Sequence, residues 1–261
     1  LHPNLKLMNF KIHPQFAQLT EKIAALVGNF ATEGEMLGEA VRNSIKIFDL
    51  DGKKVNIKSF KVPSFLNSII YKYFRKSKAR RSFEYANKLL ENDIGTPQPI
   101  AYFENFNVGG LKDSYYISEQ LNADLMYREL TTNPNYPNRE EILRQFIQFQ
   151  FNLHEKGIEF IDNTSGNTLI KKVNGNKYDF FLVDLNRMNF HQSIPFGKRM
   201  SNLAKLTNME DVLMIMSDEY AKLSGRKYDE VLKLLQKEAN KFQDNFNRRR
   251  RMKKKFKFWK K

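Results

Sequence analysis

The sequence predicts an α+β fold in two lobes, a small β-rich N-terminal lobe and a helical C-terminal one. Three observations predict it. Short alternating apolar runs joined by turn dipeptides fill the first 121 residues. A long amphipathic pattern over 139–155 then changes the period from two to 3.6. Beyond residue 184 the patterning is helical, notably over 209–223 and 228–246. We therefore expect a β-rich lobe over 1–121, a helical lobe over 122–247 and a basic tail over 248–261.

The elements follow in order. Residues 9–16 read as a short strand and 18–30 as a helix, with Ile23 and Leu26 at helical spacing. Ser44-Ile45-Lys46-Ile47-Phe48 alternates as a half-buried strand does, Asp51-Gly52 turns the chain, and 55–60 returns. A helix is expected over 65–91, basic at first (Lys72, Arg75, Lys76, Lys78, Arg80, Arg81) and apolar on one face later (Phe83, Ala86, Leu90). Strands over 100–104 and 114–121 meet at Gly109-Gly110, and 121–130 reads as a hinge. In the second lobe Ile142, Leu143, Phe146 and Ile147 mark the helix, 161–167 is a polar loop, and strands over 168–170 and 178–183 flank Asn174-Gly175.

Composition narrows the chemistry. The 261 residues include no cysteine, which excludes a disulfide framework, a thiol nucleophile and a cysteine-ligated zinc. No apolar run approaches the roughly 18 residues of a membrane span, and Leu1-His2-Pro3-Asn4 lacks the layout of a secretory signal. A cytoplasmic protein is expected. Net charge is +15, but 248–261 carries ten Lys/Arg and no acid, leaving +5 for the rest. The excess charge is a property of the tail, where Met252, Phe256 and Trp259 interleave the cations at amphipathic spacing. Docking on an anionic membrane surface is expected, and no nucleic acid.

The residues with chemistry form one set. Phosphoryl transfer needs mainly positioning and charge neutralisation: a carboxylate for the attacking hydroxyl, an amide and a second carboxylate for Mg²⁺, and a lysine on the phosphates. Asp162 and Asn167 stand in D-x-x-x-x-N spacing, after a long amphipathic helix and before a hairpin. Asp184 closes the apolar run Tyr178-Asp179-Phe180-Phe181-Leu182-Val183, where a magnesium-binding carboxylate belongs. Lys58 ends Val55-Asn56-Ile57-Lys58, a variant of the V-A-I-K strand, and Glu84 on the following helix is its expected partner. Gly34 and Gly38 lie where a phosphate-covering loop belongs, and Glu119 and Leu121 where backbone groups would bind adenine. The set predicts ATP and Mg²⁺, with Asp162 catalytic and Asn167 and Asp184 on the metal. His154, ending an apolar helix, reads as structural.

Several segments carry a resemblance. Lys58-Ser59-Phe60-Lys61-Val62-Pro63, the run from Arg75-Lys76-Ser77 through Phe83-Glu84-Tyr85-Ala86, Ile94-Gly95-Thr96-Pro97-Gln98-Pro99 and Leu153-His154-Glu155-Lys156-Gly157-Ile158 resemble the bacterial lipopolysaccharide kinase family, over roughly 34–206. The resemblance implies a protein-kinase-like fold and ATP-dependent phosphorylation of a 3-deoxy-D-manno-octulosonic acid (Kdo) or heptose hydroxyl. It places that reaction on lipopolysaccharide inner core or a related glycolipid, at the inner membrane of a Gram-negative bacterium. This chain departs from it in two places. Phe160-Ile161-Asp162-Asn163 replaces the usual His-Arg-Asp-Leu or His-Gly-Asp-Leu, and Asp184-Leu185-Asn186 lacks the glycine of Asp-Phe-Gly. Two alternatives stay open: an atypical kinase of protein or small molecules, and a membrane-docked pseudokinase.

Overall fold

The computed structural model describes residues 8–38, 43–60 and 75–258, with side chains to residue 252, so Lys61, Lys72, Phe256 and Trp259 are not among the side chains described. The chain forms two compact units, Leu1–Asn122 with Asp184–Arg187, and Ala123–Val183 with Met188–Lys261.

The first unit is built on a six-stranded antiparallel sheet in the order β1-β5-β6-β4-β3-β2. These strands are β1 (Met8–Ile12), β2 (Glu35–Met36), β3 (Asn43–Leu50), β4 (Lys53–Phe60), β5 (Pro99–Asn107) and β6 (Gly110–Glu119). Period-two alternation divides β4 between two cores. Val55 and Ile57 pack with Phe103, Ile117 and the α1 residues Ile23 and Val27 (α1, Thr20–Gly28). Phe60 instead joins Tyr102, Ala79 and Phe83, the last two from α2 (Lys78–Leu90). Lys58 shares the parity of Phe60 and lies over its ring at 5.3 Å. The β3–β4 turn has Asp51 and Gly52 at φ 59° and 81°, the mirror-image turn that suits hairpin twist.

Two boundaries differ from the sequence expectation. The strand over 9–16 stops at Ile12, because Pro14 has no N–H for the ladder and begins a short 3₁₀ helix, Pro14–Leu19. Within the described part of the helix expected over 65–91, α2 begins at Lys78, where the Ser77 side chain accepts from the Arg80 N–H at 3.0 Å.

The second unit is mainly helical, with α3 (Tyr127–Thr132), α4 (Arg139–Glu155), α5 (Phe196–Leu203), α6 (Glu210–Ser224) and α7 (Tyr228–Phe258). Ile142, Leu143, Phe146 and Ile147 of α4 are buried with Met216 and Tyr220 of α6 and Val231, Leu235 and Ala239 of α7. Two small sheets complete it: β7 (Leu125–Met126), β9 (Thr168–Asn174) and β10 (Lys177–Leu182) in one, β8 (Ile158–Phe160) and β11 (Met188–Phe190) in the other. The segment expected as a hinge, 121–130, contains β7 and the start of α3. The basic tail is not a separate element either, since α7 runs unbroken through its first eleven residues.

Candidate active site

In the first unit the sheet fixes Lys58 and the chain returns to it at Asp184. Lys58 Nζ lies 2.6 Å from Asp184 Oδ1, although 126 positions separate them in sequence. Asn186 Nδ2 donates to the same oxygen at 2.8 Å. Asp184 holds a left-handed backbone at φ 58°, a conformation that costs a non-glycine residue about 1 kcal/mol or more. The residue standing where Asp-Phe-Gly has its glycine thus supplies a side-chain hold on the aspartate.

Glu84 is not the partner of Lys58. Its carboxylate accepts from Lys76 Nζ at 2.8 and 3.0 Å and from Arg80 Nε at 3.0 Å. Burial pushes its pKa up, and these two cations more than reverse that. The expected Lys58–Glu84 clamp is corrected accordingly: the sequence places a glutamate on the right helix, but nearer cations from the same basic stretch take it.

The nucleotide-contacting residues divide likewise. Gly34 has φ 86°, and a Cβ there would lie 2.5 Å from the Phe48 ring, so the position takes only glycine. Gly38, at φ 72°, leads out of β2 with open space around it. The Glu119 N–H is spent on the Gln98 carbonyl at 2.9 Å and is not available to a base. Leu121 lies beyond the strand, and its carbonyl accepts only from Gln120 Nε2 at 3.2 Å.

In the second unit, residues 161–167 form a loop closed on itself. Asn167 Nδ2 donates to the Asp162 carbonyl at 2.8 Å, and the Thr164 N–H to the same oxygen at 2.7 Å. The Val183 N–H then reaches the Asn167 carbonyl at 3.0 Å, tying the end of β10 to the loop.

What holds this loop was not read from the sequence. Asn163, fully buried, donates to Gln150 Oε1 at 3.0 Å and Asn202 Oδ1 at 3.1 Å. Asn202 Nδ2 donates to the Phe160 carbonyl at 2.7 Å, and Lys205 Nζ to the Ile161 carbonyl at 2.8 Å. His154 is part of the same network. Its Nε2 faces Asn202 Oδ1 at 3.3 Å and its Nδ1 faces the Tyr220 hydroxyl at 3.1 Å. Burial pushes the His154 pKa down to about 4, so the ring is neutral and supports the loop. This buried network holds the loop backbone. Its signal in the sequence was Asn163, a polar residue where Leu is usual.

A carboxylate anchors the following segment. Glu159 on β8 accepts from His191 Nε2 at 2.9 Å, Lys198 Nζ at 2.9 Å and Asn189 Nδ2 at 3.0 Å. Burial alone would raise its pKa; these three donors hold it at about 2. Gly157, at φ 69°, ends α4 and lets the two strands meet, since a Cβ there would strike the His191 carbonyl at 2.0 Å.

The residues that could hold magnesium offer only oxygen, which suits a hard cation. Among the described residues, Asp184 Oδ2 and Asn167 Oδ1 accept no hydrogen bond, while Asp184 Oδ1 accepts two and Asn167 Nδ2 donates to Asp162. Among the described residues no cluster of three or more His, Cys, Asp or Glu that could hold a metal exists.

One comparison bears on this arrangement. A solved structure of WaaP in complex with acyl carrier protein aligns at a TM-score of 0.63, over 90% of this chain and 98% of that one, with 16% identity. The chain shares its fold with WaaP. At that identity WaaP informs the architecture, a kinase-like mix of a β-rich region and a helical C-terminal part. No protein-family model matches the chain, and no curated protein matches it.

Proposed function

We propose that the protein is a kinase using ATP and Mg²⁺ to phosphorylate a sugar hydroxyl of lipopolysaccharide inner core, Kdo or heptose, or of a related glycolipid. The observation that carries the reading is the Lys58–Asp184 pair. Two residues chosen separately for phosphate and metal binding lie within hydrogen-bond distance in a fold shared with WaaP. The sugar acceptor comes from the sequence resemblance.

Each group has a task in that chemistry. Asp162 orients the acceptor hydroxyl and takes its proton as the oxygen attacks. Lys58 contacts phosphate oxygens, and its bond to Asp184 keeps the ammonium in place beforehand. Asp184 and Asn167 would hold magnesium, whose charge neutralises the phosphates when it is bound. Leu121 lies past the last paired backbone group and is the residue left to meet the base edge. The altered loop remains competent in this reading, because Asn163, Asn202 and Lys205 hold its backbone.

We also place the protein on the cytoplasmic face of the inner membrane, docked by the basic end of α7. Each Lys or Arg close to an anionic leaflet contributes about 1 kcal/mol. The test of the whole reading is incubation with labelled ATP, Mg²⁺ and extracted core-truncated lipopolysaccharide, followed by mass spectrometry. One added phosphate on the core sugar is expected. Mg²⁺-dependent ATP binding without transfer to any lipopolysaccharide would remove the substrate assignment and favour the pseudokinase.

A further inference from the structure

Arg128, at the start of α3, differs from the arginines that follow it in the body of its unit. From Arg139 to Arg226 each of them pairs with a carboxylate: Arg139 with Asp211, Arg144 with Asp218, Arg199 with Glu155, Arg226 with Glu230. Arg128 is exposed, and among the described residues its guanidinium has no hydrogen bond or ion pair. The nearest acids in sequence are engaged elsewhere. Glu129 caps its own helix through the Met126 N–H at 2.9 Å, and Asp124 accepts from the Lys172 N–H at 2.7 Å.

Its position is set by the catalytic loop. Arg128 Nη2 lies 2.5 Å from where a Cβ on Gly166 would be, so the guanidinium rests on the loop at a residue that has no side chain. Gly166 directly precedes Asn167 and belongs to the loop that Asp162 opens. A cation without a counter-charge, seated on the loop that carries the base, is placed for an anion that arrives with the substrate.

We propose that Arg128 is an acceptor-binding residue that engages an oxyanion of the sugar, a carboxylate or a phosphate, near the hydroxyl to be phosphorylated. The inference rests on the kinase reading above and adds the chemistry that selects its acceptor. A guanidinium presents a planar fork of donors that fits both oxyanions in bidentate fashion. The nucleotide phosphates are assigned to Lys58 in the other unit, whereas Arg128 shares its unit with the base. The acceptor is therefore the expected ligand.

The test compares wild type with Arg128→Gln and Arg128→Lys on core-truncated lipopolysaccharide. The substrate is used native, after removal of its phosphates, and after reduction of its carboxylates. Arg128→Gln should raise KM for the native acceptor about 10- to 100-fold, the usual scale for lost hydrogen bonds to a charge. The KM for ATP and the melting temperature should not move, and Arg128→Lys should fall between. Removing the correct anion should raise the wild-type KM to that of Arg128→Gln and erase the difference between them. Which treatment does so identifies the source of the oxyanion. An unchanged acceptor KM in Arg128→Gln, or an equal defect on all three acceptors, overturns the inference while leaving the kinase reading intact. If wild type phosphorylates none of the three, both fail together.

Discussion

Asp162 and Asp184 are the same residue type with different surroundings, and the proposed kinase chemistry gives them different tasks. Asp184 accepts two bonds on one oxygen and keeps the other open, the arrangement of a fixed ligand. Asp184→Ala should therefore weaken Mg-ATP binding, and it also leaves Lys58 without its carboxylate. Asp162→Ala should bind Mg-ATP nearly as wild type but turn over about 10²- to 10⁴-fold more slowly, the range for a lost general base. Equilibrium nucleotide binding and single-turnover rates read the two effects separately; near-normal turnover in Asp162→Ala would remove it from the catalytic role. Of the residues singled out by spacing, Lys58 and Asp184 meet in the first unit, and Asp162 and Asn167 close one loop of the second. Glu84 shows where legibility from spacing ends. Its helix was placed correctly, but the competition among Lys58, Lys76 and Arg80 for one carboxylate is decided by side-chain reach, which spacing does not encode.

At the scale of elements, the segment after Asp184 is secured by charge already in the chain. Where many kinases place an arginine beside the catalytic aspartate to hold a phosphorylated loop, this chain has Ile161. Glu159 instead holds His191 and Lys198, with the acid on the strand and its two partners on the segment. Activity should accordingly need no phosphorylation of 187–200, and loss of activity on phosphatase treatment would count against this. Glu159→Gln should speed hydrogen exchange across 188–200 and lower turnover several-fold. The carboxyl's folded pKa lies below its unfolded value, so its stabilisation is present above about pH 4.5 and is lost as pH falls toward 2. Helix α4 was readable from Arg139 to Glu155, because a long 3.6-residue period is a strong signal. Strands β8 and β11 were not, since three residues are too few to show alternation.

For the molecule as a whole, two measurements report on the fold and its docking. His154 is buried neutral, with its pKa lowered from 6.5 to about 4. The unfolded chain takes up a proton there first, so the stabilisation is complete above about pH 6.5 and declines as pH falls toward 4. At most about 3 kcal/mol is involved. Thermal unfolding at pH 7.5 and 5 should show that loss in wild type, and a smaller one in His154→Gln. Docking is tested by sedimentation with anionic vesicles across a salt series. Deleting 248–261 should abolish binding, while retained binding would end the anchor assignment. Two units were expected from the change in period near the middle of the chain. The return of Asp184–Arg187 to the first unit was not, because a crossing of four residues leaves no pattern in composition.

Helix α7 carries one more consequence. Its 31 residues make a rod about 47 Å long. After Ala239 its apolar residues are no longer covered, and Phe242, Phe246 and Met252 are exposed. By sequence, cations stand four positions apart at 249 and 253, 250 and 254, and 251 and 255, a spacing at which like charges disfavour a helix. With Phe242, Phe246 and Met252 uncovered and no acid in 248–261, this end behaves as a polyelectrolyte whose helicity depends on counter-ions. A coil–helix transition should therefore accompany charge neutralisation. Far-UV circular dichroism of a peptide spanning 240–261 should show little helix in dilute buffer and a cooperative gain on titration with anionic, but not zwitterionic, lipid. The residues that would hold the protein to a surface would then also report, by their own folding, that the surface has been reached.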